Sequence, residues 1–410
     1  MKCRHCQKKV ELEFVNLGLS PASNAYLRAD ELTKQESIYP LRVLCCQSCW
    51  LVQTEDFARA DELFNKDYAY FSSFSSSWLD HCEHYTMKMT QRFNLNESSC
   101  VVEVAANDGY LLQYFKQQGV PNYGIEPTRS TAQAALTKGI DIIEEFFGEK
   151  TAIDLVDNDR QADLMIANNV LAHVPDINDF VKGFSRLLKP NGIATFEFPH
   201  LCELVKNNQF DTIYHEHFSY LSLSFVKRLF IFCGLEIFDV EKINTHGGSL
   251  RVYAQRIDFG SQTVEPSVDV LLKHEMKTGV ESKAYYQGFQ AKSDKVKQDL
   301  IAFVSQAKKE GKSISAYGAA AKGNTLINYS HLGIDDIDYV VDLNPQKQGK
   351  FLPGSHIPIV GEEVLKQNKP EYIIVFPWNI IDEIKQQLAY VNEWGGRLVI
   401  ALPSLKIISP

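Results

Sequence analysis

Two cysteine pairs, Cys3-x-x-Cys6 and Cys46-x-x-Cys49, stand near the start of a 410-residue chain and restrict that segment more than any other feature does. Thiolates on two such turns can close a tetrahedral zinc site, and a short stretch of small strands has little other core to fold around. The expected ligands are Cys3, Cys6, Cys46 and Cys49. Cys45 stands beside Cys46 as an alternative, and His5 is within reach, although such a turn needs no imidazole. Four protein thiolates leave no open position for water or substrate, so the zinc is expected to be structural. Reading the cluster as metal ligands presupposes a reducing compartment. A cytoplasmic location is expected, because Met1-Lys2-Cys3-Arg4-His5-Cys6 lacks the apolar core of a signal peptide and no apolar run reaches the roughly 20 residues of a spanning helix. Cys82, Cys100, Cys202 and Cys233 are scattered and read as small core residues.

Beyond an aromatic and serine-rich stretch ending at Trp78, strands and helices alternate. Strands are expected at 101–105, 122–125, 162–167 and 193–198, with helices between them and a stop and turn at Lys189-Pro190-Asn191-Gly192. A long helical region, about 264–310, precedes a second alternation with strands at 313–316, 339–341, 372–376 and 397–401. Such alternation implies parallel sheets covered by helices on both faces. The expected fold is α/β: a zinc ribbon over 1–65, a Rossmann-like domain over 66–256 and a second Rossmann-like domain over 257–410.

Ligands of such sheets sit at the carboxyl ends of the strands. The first exit loop reads Glu103-Val-Ala-Ala-Asn107-Asp108-Gly109, with one glycine where a dinucleotide fingerprint has three. Glu126 ends the second strand, where a carboxylate can take the hydroxyls of a ribose. Glu103 and Asp108 would repel a pyrophosphate but not a cationic adenosine derivative, which favours S-adenosylmethionine over a nicotinamide cofactor. Asn169 follows the third strand and can meet the cofactor, and His173 the substrate; a turn histidine bonded to backbone is the alternative for His173.

The densest cluster is Tyr214-His215-Glu216-His217. Its histidines stand two apart, unlike the i, i+4 pair of a zinc-protease helix, so acid/base work is the better reading. An imidazole with a pKa of about 6.5 suits proton transfer at neutral pH. Tyr214 or Glu216 can orient it. In the last third, Gly318-Ala-Ala-Ala-Lys322-Gly323-Asn324 follows a strand and opens a helix. Asn324 stands where a P-loop has its lysine, so ATP hydrolysis is not expected, but Lys322 at a helix N-terminus suits a diphosphate. Asp342 and Lys347 are further candidate nucleotide contacts, against the alternative of a small-residue packing turn. A net charge of −9 leaves no basic excess for nucleic acid or an acidic membrane, which also disfavours an RNA methyltransferase.

In this order the motifs resemble those of the nucleotide-sugar C-methyltransferases of branched deoxysugar biosynthesis, along almost the whole chain. The resemblance rests on Cys46-Gln-Ser-Cys49-Trp-Leu-Val-Gln53, Glu103-Val-Ala-Ala-Asn-Asp-Gly109, Asn169-Val-Leu-Ala-His173-Val-Pro-Asp176 and Glu197-Phe-Pro-His200. It continues through Tyr214-His-Glu-His217-Phe-Ser-Tyr220, Thr245-His-Gly-Gly-Ser249-Leu-Arg251 and Tyr317-Gly-Ala-Ala-Ala-Lys-Gly323. Ala106, where serine is common in the family, and the doubled Cys45-Cys46 are small departures. The resemblance implies methyl transfer from S-adenosylmethionine to the carbon beside the keto group of a TDP-linked 4-keto-deoxysugar, usually C-3. It implies His217 as the base, with Tyr214, Glu216 and His173 around the sugar and Tyr68 or Tyr70 reaching the methyl group. It also implies that Lys322, Asn324, Asp342, Lys347, Ser249 and Arg251 hold the substrate. C-5 methylation uses the same base logic, and a metabolite-sensing zinc protein is the non-catalytic alternative. The oligomeric state is left open by the sequence.

Overall fold

The computed structural model describes residues 1–57 and 72–410. Strands β1 (Leu12–Pro21), β2 (Ile38–Cys45) and β3 (Val52–Thr54) form an antiparallel sheet next to the two cysteine turns. Cys45 and Cys46 are neighbours in an extended segment, so they face opposite sides. Cys46 packs with Cys3, Cys49, Leu44 and Leu51 toward the middle of the chain, whereas Cys45 joins Phe14, Val15 and Val43 against the last third. The ribbon is thus a wedge between two larger bodies.

The middle of the chain runs α1 (Ser76–Phe93), β4 (Val101–Val104), α2 (Leu112–Gln117), β5 (Asn122–Ile125), α3 (Arg129–Thr137), β6 (Asp141–Ile143), α4 (Glu149–Val156) and β7 (Ala162–Asn168). It continues with α5 (Ile177–Leu187), β8 (Leu188–Pro199), α6 (Leu201–Lys206), β9 (Ser219–Tyr220), α7 (Leu223–Phe232), β10 (Leu235–Ile243) and β11 (Ser249–Arg256). Seven of these strands form one sheet, in the order β10-β11-β8-β7-β4-β5-β6. Strands β4 to β8 of this sheet are parallel, while β11 runs antiparallel to both its neighbours. Its central strands are buried on both faces and read as largely apolar, broken by Glu103 in β4 and Asp163 in β7. Helix α1 starts where the Ser75 hydroxyl accepts the Trp78 amide and ends on left-handed Asn94. Helix α5 buries Ile177, Phe180, Val181, Phe184 and Leu187 along one stripe. The stop expected at Lys189–Gly192 is an excursion within β8: Leu188 pairs with Ala162 and Ile193 with Leu164, and residues 189–192 loop out between them. Strand β9 leaves this domain and pairs with β3 of the ribbon.

The last third comprises α8 (Pro266–Thr278), α9 (Lys283–Tyr286), α10 (Phe289–Lys309), β12 (Ile314–Tyr317), α11 (Ala321–Ser330), β13 (Val340–Val341) and β14 (Ile359–Val360). It closes with α12 (Glu362–Asn368), β15 (Tyr372–Val375), α13 (Ile381–Gln387), β16 (Arg397–Ile400) and β17 (Lys406–Ile408). Its sheet has the order β14-β13-β12-β15-β16-β17 and is parallel except at β17. The expected boundary at 256/257 moves. Helix α8 packs Val268 and Leu271 into the core of the middle domain, and its Glu275 accepts from the Leu223 and Ser224 amides there. Tyr286 and Phe289 instead join the core shared by ribbon and last domain, so the division falls between α8 and α9.

Candidate active site

The four expected thiols converge. Cys3 Sγ lies 3.5 Å from Cys49 Sγ, Cys6 Sγ lies 3.6 Å from Cys46 Sγ, and all four sulfurs fall within 4.8 Å of one another. Zinc–sulfur bonds of about 2.3 Å give tetrahedron edges of about 3.8 Å, so the set fits one zinc ion. Gln53 Nε2 donates to Cys3 Sγ at 3.4 Å and its Oε1 accepts the Arg4 amide, which orients the ligand. Cys45 faces the other way and burial pushes its thiol up to about 12. His5 bonds Asn178 instead of entering the cluster.

At the carboxyl ends of β4 and β7 the backbone turns through left-handed Ala105, Asn107, Gly109 and Asn169. The Glu126 carboxylate receives the amides of Asn107 at 2.9 Å and Thr128 at 2.8 Å, which pins the two loops together. Burial raises its pKa. Burial also holds Glu103 well above the carboxylate range, only partly offset by the Tyr110 hydroxyl. Asp108 meets Lys138 through one oxygen, at 3.2 Å, while the other is buried without a partner among the described residues. This crevice lined with buried acids fits a cationic, phosphate-free cofactor, whose charge would offset the cost of burying them. Asn169 donates from Nδ2 toward His246 Nε2 at 3.2 Å. Trp78 closes the crevice: its ring stacks on His81 at 5.0 Å and tilts against Tyr110 and His246. Trp78, His81 and His246 were not anticipated as site residues. A helix of mixed composition hides such a wall, although the His246-Gly-Gly turn was a usable signal.

The His217 imidazole is set by its neighbours. Nδ1 faces the Thr212 carbonyl at 2.8 Å and must donate its proton there, which leaves the lone pair on Nε2, where the Tyr214 hydroxyl donates at 2.8 Å. The His173 ring packs edge-on at 4.6 Å and its Nδ1 bonds the Glu216 carbonyl at 2.8 Å. Thr54 of the ribbon donates its hydroxyl to the His217 carbonyl at 2.6 Å. Burial, aided by the charges of His173 and Lys322, lowers the His217 pKa well below 6.5; burial lowers that of His173 to about 4. His217 is therefore a neutral imidazole at physiological pH. His215 faces Tyr39 and the Pro40 carbonyl, so the two histidines do not share a metal. Tyr68 and Tyr70 lie outside the described residues.

Lys322 enters this crevice from α11. Its Nζ donates to Asn379 Oδ1 at 2.7 Å and sits 4.8 Å from the Trp378 ring. Trp378 in turn donates to Asp211 Oδ2 at 2.6 Å, and burial raises Asp211 to about 6 despite Lys322. The other residues expected to hold substrate are placed differently. Asn324 is buried and donates to the Ser23 carbonyl at 2.5 Å, and Thr325 donates to the Ile213 carbonyl at 2.8 Å, so the turn after Lys322 is a domain joint. Lys347 is spent on Asp342 and the Ala319 carbonyl. Ser249 donates to the Thr245 carbonyl, and Arg251 is buried against Glu197 at 2.8 Å, with both residues in β11 of the cofactor sheet. Of that group only Lys322 keeps a charged head directed at the His217 crevice.

Residues 3–64 match the family model described as "Putative zinc binding domain", residues 79–240 the model "Methyltransferase domain" and residues 244–403 the model "C-methyltransferase C-terminal domain". The chain is similar to C-methyltransferase NovU of Streptomyces niveus, at 33% identity over 100% of this chain and 97% of that protein. Among solved structures, it is similar to a magnesium protoporphyrin IX methyltransferase (ChlM) from Synechocystis PCC 6803 with bound SAM, at 13% identity and a TM-score of 0.33, covering 43% of this chain and 79% of that one. An S-adenosylmethionine-dependent methyltransferase from Clostridium acetobutylicum ATCC 824 matches at 13% identity and a TM-score of 0.35, over 45% and 92% of the two chains.

Proposed function

Because this chain belongs to the zinc-containing, S-adenosylmethionine-dependent C-methyltransferase family, we propose that it methylates the carbon beside the keto group, C-3, of a TDP-linked 4-keto-deoxysugar. The observation that carries this reading is the tautomer of His217, a buried neutral imidazole with its lone pair on Nε2 and a phenol beside it. A C–H next to a carbonyl is acidic because its anion is an enolate, so a positioned base suffices and no catalytic metal is needed. His217 Nε2 takes that proton as the substrate displaces the Tyr214 hydroxyl contact. The burial that penalises a lone imidazolium penalises an imidazolium–enolate pair far less, since the two charges develop together. Lys322 adds a positive charge on the last-domain side of the crevice, for the keto oxygen or the phosphates. When bound, S-adenosylmethionine supplies an electrophilic methyl group on its sulfonium. Glu103, Glu126, Asp108 and Asn169 line the crevice that would hold it, and Trp78 and Tyr110 cover it against water.

Incubation with S-adenosylmethionine and TDP-4-keto-2,6-dideoxyglucose should add one methyl group by mass. His217→Asn should slow both methylation and deuterium washout from the sugar by about a hundred- to ten-thousandfold. Washout at the wild-type rate would show that another group is the base.

A further inference from the structure

The ribbon carries a turn, residues 22–26, from which the Asn24 and Tyr26 side chains reach the other two domains. Asn24 meets Glu216 twice: its backbone amide and its Nδ2 both donate to Oε1, at 3.3 and 3.1 Å. Glu216 is 1% exposed, and its other oxygen, Oε2, has no hydrogen-bond partner among the described residues. The turn itself is held from both sides. Ser23 offers its carbonyl to Asn324, Tyr26 donates its hydroxyl to the Ala319 carbonyl at 2.6 Å, and Leu27 exchanges backbone bonds with Phe351. Lys347, beside Asp342, donates to the same Ala319 carbonyl and lies over the Tyr26 ring. Asn24 is therefore presented rigidly to a carboxylate in the loop that carries His217.

We propose that Asn24 is a positioning residue of the active site, locking Glu216 through Oε1 so that Oε2 stands ready to accept a hydrogen bond from a hydroxyl of the sugar substrate. A buried carboxylate oxygen without a donor is costly, and a bound donor removes that cost. An ionised carboxylate can only accept, so the site selects a ligand with an O–H at that place. The zinc ribbon then contributes to substrate recognition as well as to folding. Burial raises the Glu216 pKa, and its own backbone amide, the two Asn24 donors and the Ser23 amide oppose it, so the Asn24 share of the link is open to titration.

This inference rests on the methyltransfer reading for the identity of the donor, but its first test does not. The protonated-carboxyl infrared band of Glu216, identified by its absence in Glu216→Gln, is followed against pH in the zinc-loaded full chain. Loss of a hydrogen bond to a charged acceptor in Asn24→Ala should move its midpoint up by about one to two pH units. Asn24→Asp, which keeps the shape and sets a second carboxylate there, should move it further. Unchanged midpoints with one zinc per chain would overturn the proposal. In turnover, Asn24→Ala and Glu216→Gln should each lower kcat/KM about tenfold or more, and the double variant should be no slower than Glu216→Gln alone. Fully additive losses would also overturn it. A wild-type chain inactive on the keto sugar would count against the methyltransfer reading alone, and the infrared midpoints would still decide the link between Asn24 and Glu216.

Discussion

Glu197→Gln is a direct test of the electrostatics at the end of β8. Glu197 is fully buried, with His81 Nε2 at 2.9 Å, Arg251 at 2.8 Å and the Thr245 hydroxyl at 2.9 Å. Burial alone would push its carboxyl up, but the His81 hydrogen bond and the Arg251 charge outweigh it and hold the pKa down from 4.5 to about 2. Because the folded value is the lower one, the stabilisation is complete above 4.5 and is lost as pH falls through about 2. That lowering is worth about 3 kcal/mol at pH 7, in line with the roughly 3–5 kcal/mol cost of breaking a buried pair from one side. At pH 3.5 linkage leaves about 2 kcal/mol of it. Urea unfolding should therefore show Glu197→Gln less stable by about 3 kcal/mol in the zinc-loaded protein at pH 7, with the gap narrowing by about a third at pH 3.5, where both proteins are compared without zinc because the thiolates are protonated. A difference below about 0.5 kcal/mol at pH 7, in the range of an inert surface substitution, would refute the argument. So would a gap that is constant with pH.

Three further outcomes are expected. The low pKa of His217 keeps it neutral well below the ordinary histidine value of 6.5, so kcat/KM should not fall between pH 8 and 6.5, and any acid limb should lie at or below about 6, where Asp211 titrates. Metal analysis should find one zinc per chain in wild type and in Cys45→Ala but well below one in Cys46→Ala; a full equivalent retained in Cys46→Ala would mean that Cys45 can take its place. Gly247 has φ +85°, and an added Cβ would lie 2.7 Å from both Gln209 Nε2 and Trp378 Cη2, so Gly247→Ala should cost about 1–3 kcal/mol in thermal or urea unfolding.

The parts of this molecule that were legible in the sequence are those whose signal is local. Cysteine turns announce themselves by spacing, and strands such as Val101–Val104 by valines close to a turn segment. The packed surroundings of a group are not local. Nothing near Asn324 shows that its amide is needed by Ser23, some three hundred residues away. The choice of Cys46 over Cys45 depends on which side of β2 faces which domain. Arg251 reads as a substrate contact until Glu197 is seen opposite it on the neighbouring strand. His217 was legible as a candidate base because histidine is rare and chemically loaded, but its tautomer came only from the Thr212 carbonyl.

The pairing of β9 with β3 bears on how the chain is made. Val52 and Gln53 find their partners in Tyr220 and Ser219, so during synthesis the ribbon's sheet keeps an open edge until most of the middle domain has left the ribosome. Until then that edge is a template for another chain. A gene cut between ribbon and middle domain would yield two fragments, one with an unpaired edge and the other with a stranded strand. Co-expressing the two halves should rescue solubility better than mixing them after purification.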